Sequence, residues 1–242
     1  MTEEILSEKA DIETASEDYT SRFSGEVGEY FLNTQKNITL QLLATENVKT
    51  VLDVGGGHAQ LAVPLVKEGY EVTVTGSDIS CRNRLDRLVE DGNFHFEECN
   101  FLNLPFNDNS FDAVIAFRLL THEKNWKVLV KEMSRVSKNV IIIDYPDVFS
   151  FNILNKILFK AKKSIEKNTR TFKSFSRKEL KEEFLKNNFG KFKFKPQYFL
   201  PMVLHRFMKN VTLSKLFEKL FGSIALKYLF GTPVILKIKS QK

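Results

Sequence analysis

Cysteine is scarce in this sequence: Cys81 and Cys99 are the only two. Two thiols cannot build a disulfide framework, and their neighbours supply no zinc-ligand spacing, so a reducing compartment is the simplest reading. The four histidines share no ligand-spaced cluster with carboxylates, and no metal centre is expected. No apolar run reaches the ~18 residues that a membrane-spanning helix needs. The opening Met1-Thr2-Glu3-Glu4 is acidic and lacks the apolar core of a signal peptide. A cytoplasmic protein is expected, with any membrane contact peripheral. Repeats and low-complexity linkers are missing too, which argues against a solenoid or a string of tethered modules.

Acidic residues thin out along the chain. Residues 151–242 hold 22 Lys and Arg against 5 Asp and Glu, whereas residues 1–150 hold 14 against 25. A split of this kind suits contact with an anionic partner, such as a membrane surface, a nucleic acid or an acidic substrate. The same lysines could also form a solvated face. Three regions are expected: an acidic flexible tail over 1–18, a core over 19–145, and a basic, Phe-rich region over 146–242 that also supplies the last strands.

What the sequence has is a strand–glycine–helix opening, Val51-Leu52-Asp53-Val54-Gly55-Gly56-Gly57-His58. Glycine lets a backbone approach a ligand closely and tolerates positive φ. A helix is expected over His58–Gly69, its N-terminus facing the turn. Around this stretch, apolar strands are expected at 50–54, 71–75, 93–97, 111–117 and 139–144. Helices are expected at 30–45, 80–90 and 125–136. Continuous apolar strands alternating with helices predict a parallel sheet covered on both faces, hence an α/β doubly wound fold. Beyond Pro146 the pattern predicts helices over 151–166, 176–187 and 201–221, an edge strand over 191–199 and a final strand over 232–239.

The glycine turn could serve a dinucleotide, but that fingerprint needs a third glycine where Gln60 stands. Asp53-x-Gly55-x-Gly57, Asp78 at the end of the second strand, and the run from Asn100 through Leu104-Pro105-Phe106 to Ser110-Phe111-Asp112 together resemble the class I S-adenosylmethionine-dependent methyltransferases. The resemblance spans roughly residues 19–145. Ala59 and Asn100 depart from the family's usual Gly and Asp. It implies a mostly parallel seven-stranded sheet of the Rossmann-like methyltransferase type, with a helical, basic, lid-like insertion before the last strand. S-adenosylmethionine is the implied cofactor. Asp53, Gly55 and Gly57 would hold its methionine end and Asp78 its ribose hydroxyls, while Asn100 and Phe101 would meet its adenine. Arg118 would line the pocket near the methyl, with Tyr19 and Arg22 in a lid.

His122, after the fourth strand, is the candidate general base. His58 is expected to touch the cofactor or cap a helix, His95 to be structural, and His205 could face the acceptor. Cys99 reads as packing. Arg170 could bind an acceptor carboxylate or phosphate. Phe beside Lys after residue 150 suits a small or lipid-like acceptor and contact with an anionic membrane. Two alternatives stay open: an RNA methyltransferase using the basic region, and a cofactor-binding protein without chemistry. Oligomeric state is not legible.

Overall fold

The computed structural model describes residues 6–89, 93–150, 172–221 and 224–241. Five apolar segments become the parallel strands β1 (Thr50–Val54), β2 (Glu71–Gly76), β3 (His95–Glu98), β4 (Phe111–Ala116) and β5 (Ser137–Tyr145). Two later strands, β6 (Phe189–Pro196) and β7 (Val234–Ser240), complete a seven-stranded sheet of order β3-β2-β1-β4-β5-β7-β6. Only β7 runs against the rest, pairing antiparallel with both β5 and β6. The β6 edge alternates exposed lysines with inward phenylalanines, as a half-wet edge strand should.

Period-two side chains divide the core into two layers. Leu52, Val54, Val114, Ile141, Ile143 and Leu236 face helices α6 (Trp126–Val136) and α7 (Arg177–Lys186). Val51, Val74, Ala113, Ile115, Ile142 and Ile235 face α3 (Gly25–Leu43), α4 (Ala62–Lys67) and α5 (Asn83–Leu88). A buried ammonium fastens α3 to β7. Lys237 Nζ donates to Leu42 O at 3.1 Å and to Thr45 Oγ1 and Glu46 Oε1 at 2.6 Å. At α7, Ser176 accepts from the Glu179 N–H, the N-cap expected from Ser-x-x-Glu.

The structure corrects several boundaries. The helix expected over His58–Gly69 is a 3-10 turn, Gly56–His58, followed by the short α4, because Ala59 sits at φ 59° and cannot continue a right-handed helix. The single helix expected over 201–221 is two, α8 (Met202–Met208) and α9 (Val211–Phe221). Lys209 at φ 51° ends the first, and Asn210 Oδ1 accepts from Leu213 N at the start of the second. A further helix, α10 (Ile224–Phe230), precedes β7. The tail expected to be flexible instead carries α1 (Ala10–Thr14) and α2 (Glu17–Ser21), with Asp11 buried against the core. The helix expected over 151–166, and Arg170, lie outside the described residues.

Candidate functional site

Strand order reverses between β1 and β4, and the C-terminal ends of the parallel strands meet there, where open α/β sheets bind ligands. Gly55, at φ 70°, leaves β1 through a tight turn. Asp53 lies directly beneath it and is fully buried. A Cβ on Gly56 would fall 2.3 Å from the Asp53 carboxylate, so only glycine fits. A Cβ on Gly57 would fall 2.7 Å from Cys81 Cβ, so this glycine serves close packing against the 3-10 turn Ile79–Arg82 after β2. Among the described residues neither Asp53 oxygen has a hydrogen-bond partner. Burial without a partner pushes its carboxyl up to about 8. A buried, unpaired carboxylate is costly to the fold, and a cation or donor on a ligand would relieve it.

The neighbouring candidates divide. Asp78 accepts from Ser80 N at 2.9 Å and Ser80 Oγ at 2.6 Å, and these bonds hold its carboxyl below the usual range. Asn100 Oδ1 accepts from Leu102 N at 3.1 Å. Phe101, expected beside an adenine, is fully buried and packs in the core layer that holds Leu52 and Val54. Arg22, expected in a lid, is half exposed, lies 3.7 Å from Glu13 and has its guanidinium 5.1 Å from the Tyr19 ring. His58 is buried beneath the turn. Its Nδ1 accepts from Gln60 N, and burial together with the Arg118 charge lowers it to about 3. It is neutral at any working pH. Burial also pushes the Cys99 thiol up to about 12, so it is no nucleophile.

The N-terminal segment is the largest surprise. It crosses the mouth of this cleft. Asp11 accepts from Ser77 N at 2.7 Å, Ser77 Oγ at 2.5 Å and Cys81 Sγ at 3.2 Å, and Ser7 N donates to Asn100 Oδ1 at 3.2 Å. Asp11 Cβ is 3.6 Å from where a Gly55 Cβ would stand. Residues 7–11 therefore fill space beside Gly55 and Asn100, two positions that the family resemblance gives to a cofactor.

Next to the cleft lies a cavity of about 260 Å³ over the ends of β4, β5 and β7. Leu119, next in sequence to the lining residue Arg118, has its methyls 3.3 Å from a Gly55 Cβ position. Arg118, held at φ 59°, lines this cavity. Its N–H donates to Asp144 Oδ1 at 2.5 Å, and its guanidinium donates to Tyr19 Oη at 2.7 Å and Gln35 Oε1 at 3.1 Å. The Phe23 ring lies 4.1 Å from the guanidinium carbon. His122 lines the cavity, its ring 5.8 Å from that of Phe172. His205 does not: it is fully buried, with Nε2 3.1 Å from Glu218 Oε1 and its ring edge-on to Tyr198.

Phe31, Phe172, Met202 and Val203 give this cavity apolar walls. Gln35, Arg118, Gln197 and Thr232 also line it, and each has a buried polar atom with no partner among the described residues: Gln35 Nε2, Arg118 Nε, Gln197 Nε2 and Thr232 Oγ1. Sequence reading missed Gln35, Gln197, Thr232 and Asp11. One signal existed. Gln35 is four residues after Phe31, so a polar group interrupts the apolar stripe of α3. Gln197 and Thr232 have no local signature.

Comparisons with known proteins agree with the fold. Residues 52–140 match the family model of a methyltransferase domain. A ubiquinone/menaquinone biosynthesis C-methyltransferase of Pseudomonas aeruginosa is 31% identical over 141 residues, covering 49% of this chain and 55% of its own. An O-methyltransferase of Penicillium expansum is 30% identical over 92 residues, 36% of this chain and 33% of its own. The chain thus spans about half the length of the first of these relatives and a third of the second. Among solved structures, an S-adenosylmethionine-dependent methyltransferase from Thermotoga maritima superposes with a TM-score of 0.61 at 18% identity, over 89% of this chain and 91% of that one. Magnesium protoporphyrin IX methyltransferase from Synechocystis, with bound S-adenosylhomocysteine, gives 0.61 at 14% identity, over 92% and 94%.

Proposed function

We propose, from the premise that the chain belongs to the class I S-adenosylmethionine-dependent methyltransferases, that it methylates a small, apolar-bodied acceptor carrying oxygen atoms at its rim. The unpartnered buried donors of the cavity carry this reading. A buried donor left without an acceptor costs about 1–3 kcal/mol. A ligand that offers oxygen lone pairs to Gln35, Arg118, Gln197 and Thr232 recovers that cost. A quinol-type or phenolic ring has this make-up, with a flat apolar body for Phe31 and Met202. The names of the Pseudomonas relatives, quinone-biosynthesis C-methyltransferases, support a ring of that kind.

S-adenosylmethionine, when bound, supplies a methyl group already activated on a sulfonium. The residues present fit it. Asp53 offers an unpaired carboxylate beneath a turn with no room for a Cβ. Gly55 lets the backbone come close, Gly57 packs the turn against Ile79–Arg82, and Asp78 and Asn100 offer acceptors at the ends of β2 and β3. Arg118, fixed by Tyr19, Gln35 and Asp144, gives a rigid wall between cofactor and acceptor. Rigidity matters because in-line transfer gains mainly from alignment in a dry pocket. His122, which lines the cavity, would take the acceptor's proton.

The test is release of S-adenosylhomocysteine from the purified protein with a panel of quinols, phenols and ring carboxylates. Turnover with a rim-oxygen ring is expected, falling about tenfold or more in Gln197→Leu, a loss of about 1.4 kcal/mol. Cofactor affinity stays unchanged in that variant. Cofactor binding with no product from any panel member would overturn the acceptor assignment. Failure to bind the cofactor at all would overturn the reaction itself.

A further inference from the structure

Three consecutive helices between β6 and β7 leave apolar side chains outside. On α8, His205 points inward and fully buried, while Val203 and Phe207, one turn apart, are 62% and 85% exposed. On α9, Ser214 and Glu218 face inward, and Leu213, Leu216 and Leu220 form the outer ridge at the i, i+3, i+7 spacing of one helical face. On α10, Leu226, Tyr228, Leu229 and Phe230 are all exposed. A protein surface rarely leaves this much large apolar side chain in water without a use for it.

The charge beside the ridge has one sign. Between Met202 and Phe230 the cations are Arg206, Lys209, Lys215, Lys219 and Lys227, and the single carboxylate is Glu218. Glu218 is turned inward. It accepts from Phe199 N and Leu200 N, lies against His205, and pairs with Lys227 at 3.8 Å, so of the five cations it offsets Lys227. Lys215 and Lys219 run one turn apart along the flank of the α9 ridge, and neither has a carboxylate partner among the described residues. Lys215 also lies over the Tyr30 ring at 5.7 Å. Apolar side chains bordered by ammonium groups without carboxylate partners match a bilayer interface, where the chains enter the acyl boundary and the lysines meet lipid phosphates. The same helices reach the cavity. Met202 and Val203 line it, and Val203 is also open to solvent, so the cavity mouth borders the apolar ridge.

We infer that α8, α9 and α10 dock the protein on an anionic phospholipid bilayer, so that a lipid-soluble acceptor passes from the membrane into the cavity. This rests on the acceptor reading above for its purpose, though not for the docking itself. The test is co-sedimentation with vesicles of phosphatidylcholine alone and of phosphatidylcholine containing phosphatidylglycerol, with neither cofactor nor acceptor present. Capture by the anionic vesicles alone is expected, weakening as salt rises. Lys215→Gln and Lys219→Gln should each reduce the partition constant about fivefold, the effect of one juxtamembrane charge. Phe207→Ser with Leu216→Ser and Leu220→Ser should abolish capture, while calorimetry with S-adenosylhomocysteine shows an unchanged cofactor site. Equal capture by neutral vesicles, or none by either, would overturn the inference. So would light scattering that shows a dimer which the triple serine variant converts to monomer, since the ridge would then be an interface between copies. Capture without turnover on any acceptor would leave the docking standing and remove the acceptor reading.

Discussion

Asp11→Ala should make S-adenosylmethionine bind more tightly. The wild-type carboxylate is 2% exposed and takes two charge-assisted bonds from Ser77, at 2.7 Å from the amide and 2.5 Å from the hydroxyl. A hydrogen bond to a charged group contributes about 1.5–3 kcal/mol net. Water that reaches Ser77 in the variant recovers part of the loss, leaving about 2–3 kcal/mol, or a factor of about 30–160 in occupancy of the seated segment. If the segment and the cofactor compete for one cleft, the apparent dissociation constant is the intrinsic one divided by the open fraction. The variant then gains up to that same factor. Titration calorimetry with S-adenosylhomocysteine measures it directly. Hydrogen exchange supplies a second readout: saturating ligand should increase exchange over residues 7–15 of the wild type, because the segment has left. Weaker binding by the variant, or slower exchange of the segment on ligand addition, would refute the competition and make Asp11 part of the bound site instead.

Three further outcomes follow from the same geometry. Burial raises Asp53 to about 8 from an ordinary carboxyl value, so between about pH 4 and pH 8 the folded chain holds a proton that the unfolded chain has released. Its contribution to stability is therefore complete at low pH and is lost as pH rises toward 8. Relative to Asp53→Asn, the wild type should lose up to about 1.4 kcal/mol per pH unit across that window, and parallel denaturation profiles would contradict this. Gly56→Ala places a methyl 2.3 Å from the Asp53 carboxylate. It should cost about 1–3 kcal/mol by urea unfolding, and an unchanged midpoint would be inconsistent with the contact. Lys237→Met removes the buried ammonium that ties Leu42, Thr45 and Glu46 to β7. Lys239 still pairs with Glu46 at 2.9 Å, so the expected loss is about 3 kcal/mol, at the lower end for a broken buried pair.

The frame of this molecule was legible wherever burial is two-sided. Ala113–Phe117 and Val140–Ile143 are unbroken apolar runs, and only a covered parallel strand needs such a run. The glycine turn was legible because Gly56 has no substitute above Asp53. The docked N-terminus was not. Its helices are five residues each, too short to show a period, and its seat depends on one carboxylate meeting Ser77 from 66 positions away. The length of α4 was misread because the left-handed Ala59 carries no compositional mark. The cavity donors were invisible for a related reason. Gln35, Gln197 and Thr232 come from α3, the loop after β6 and the turn before β7, and only the folded sheet brings them together.

The place of β7 in the sheet bears on how the chain is made. Of the seven strands it is the last to be synthesised, yet it belongs between β5 and β6 rather than at an edge. While a ribosome is still translating the helices before it, the half from β1 to β5 has already emerged and can pair. Its β5 border, Val140–Ile143, then presents an unpaired apolar edge to solvent, the template that other chains can join. The nascent protein must wait for more than 80 further residues before Val234–Ser240 closes that edge. A stall before β7 would leave an aggregation-prone half. The cofactor half of the molecule can thus take shape early, but its solubility depends on the strand that arrives last.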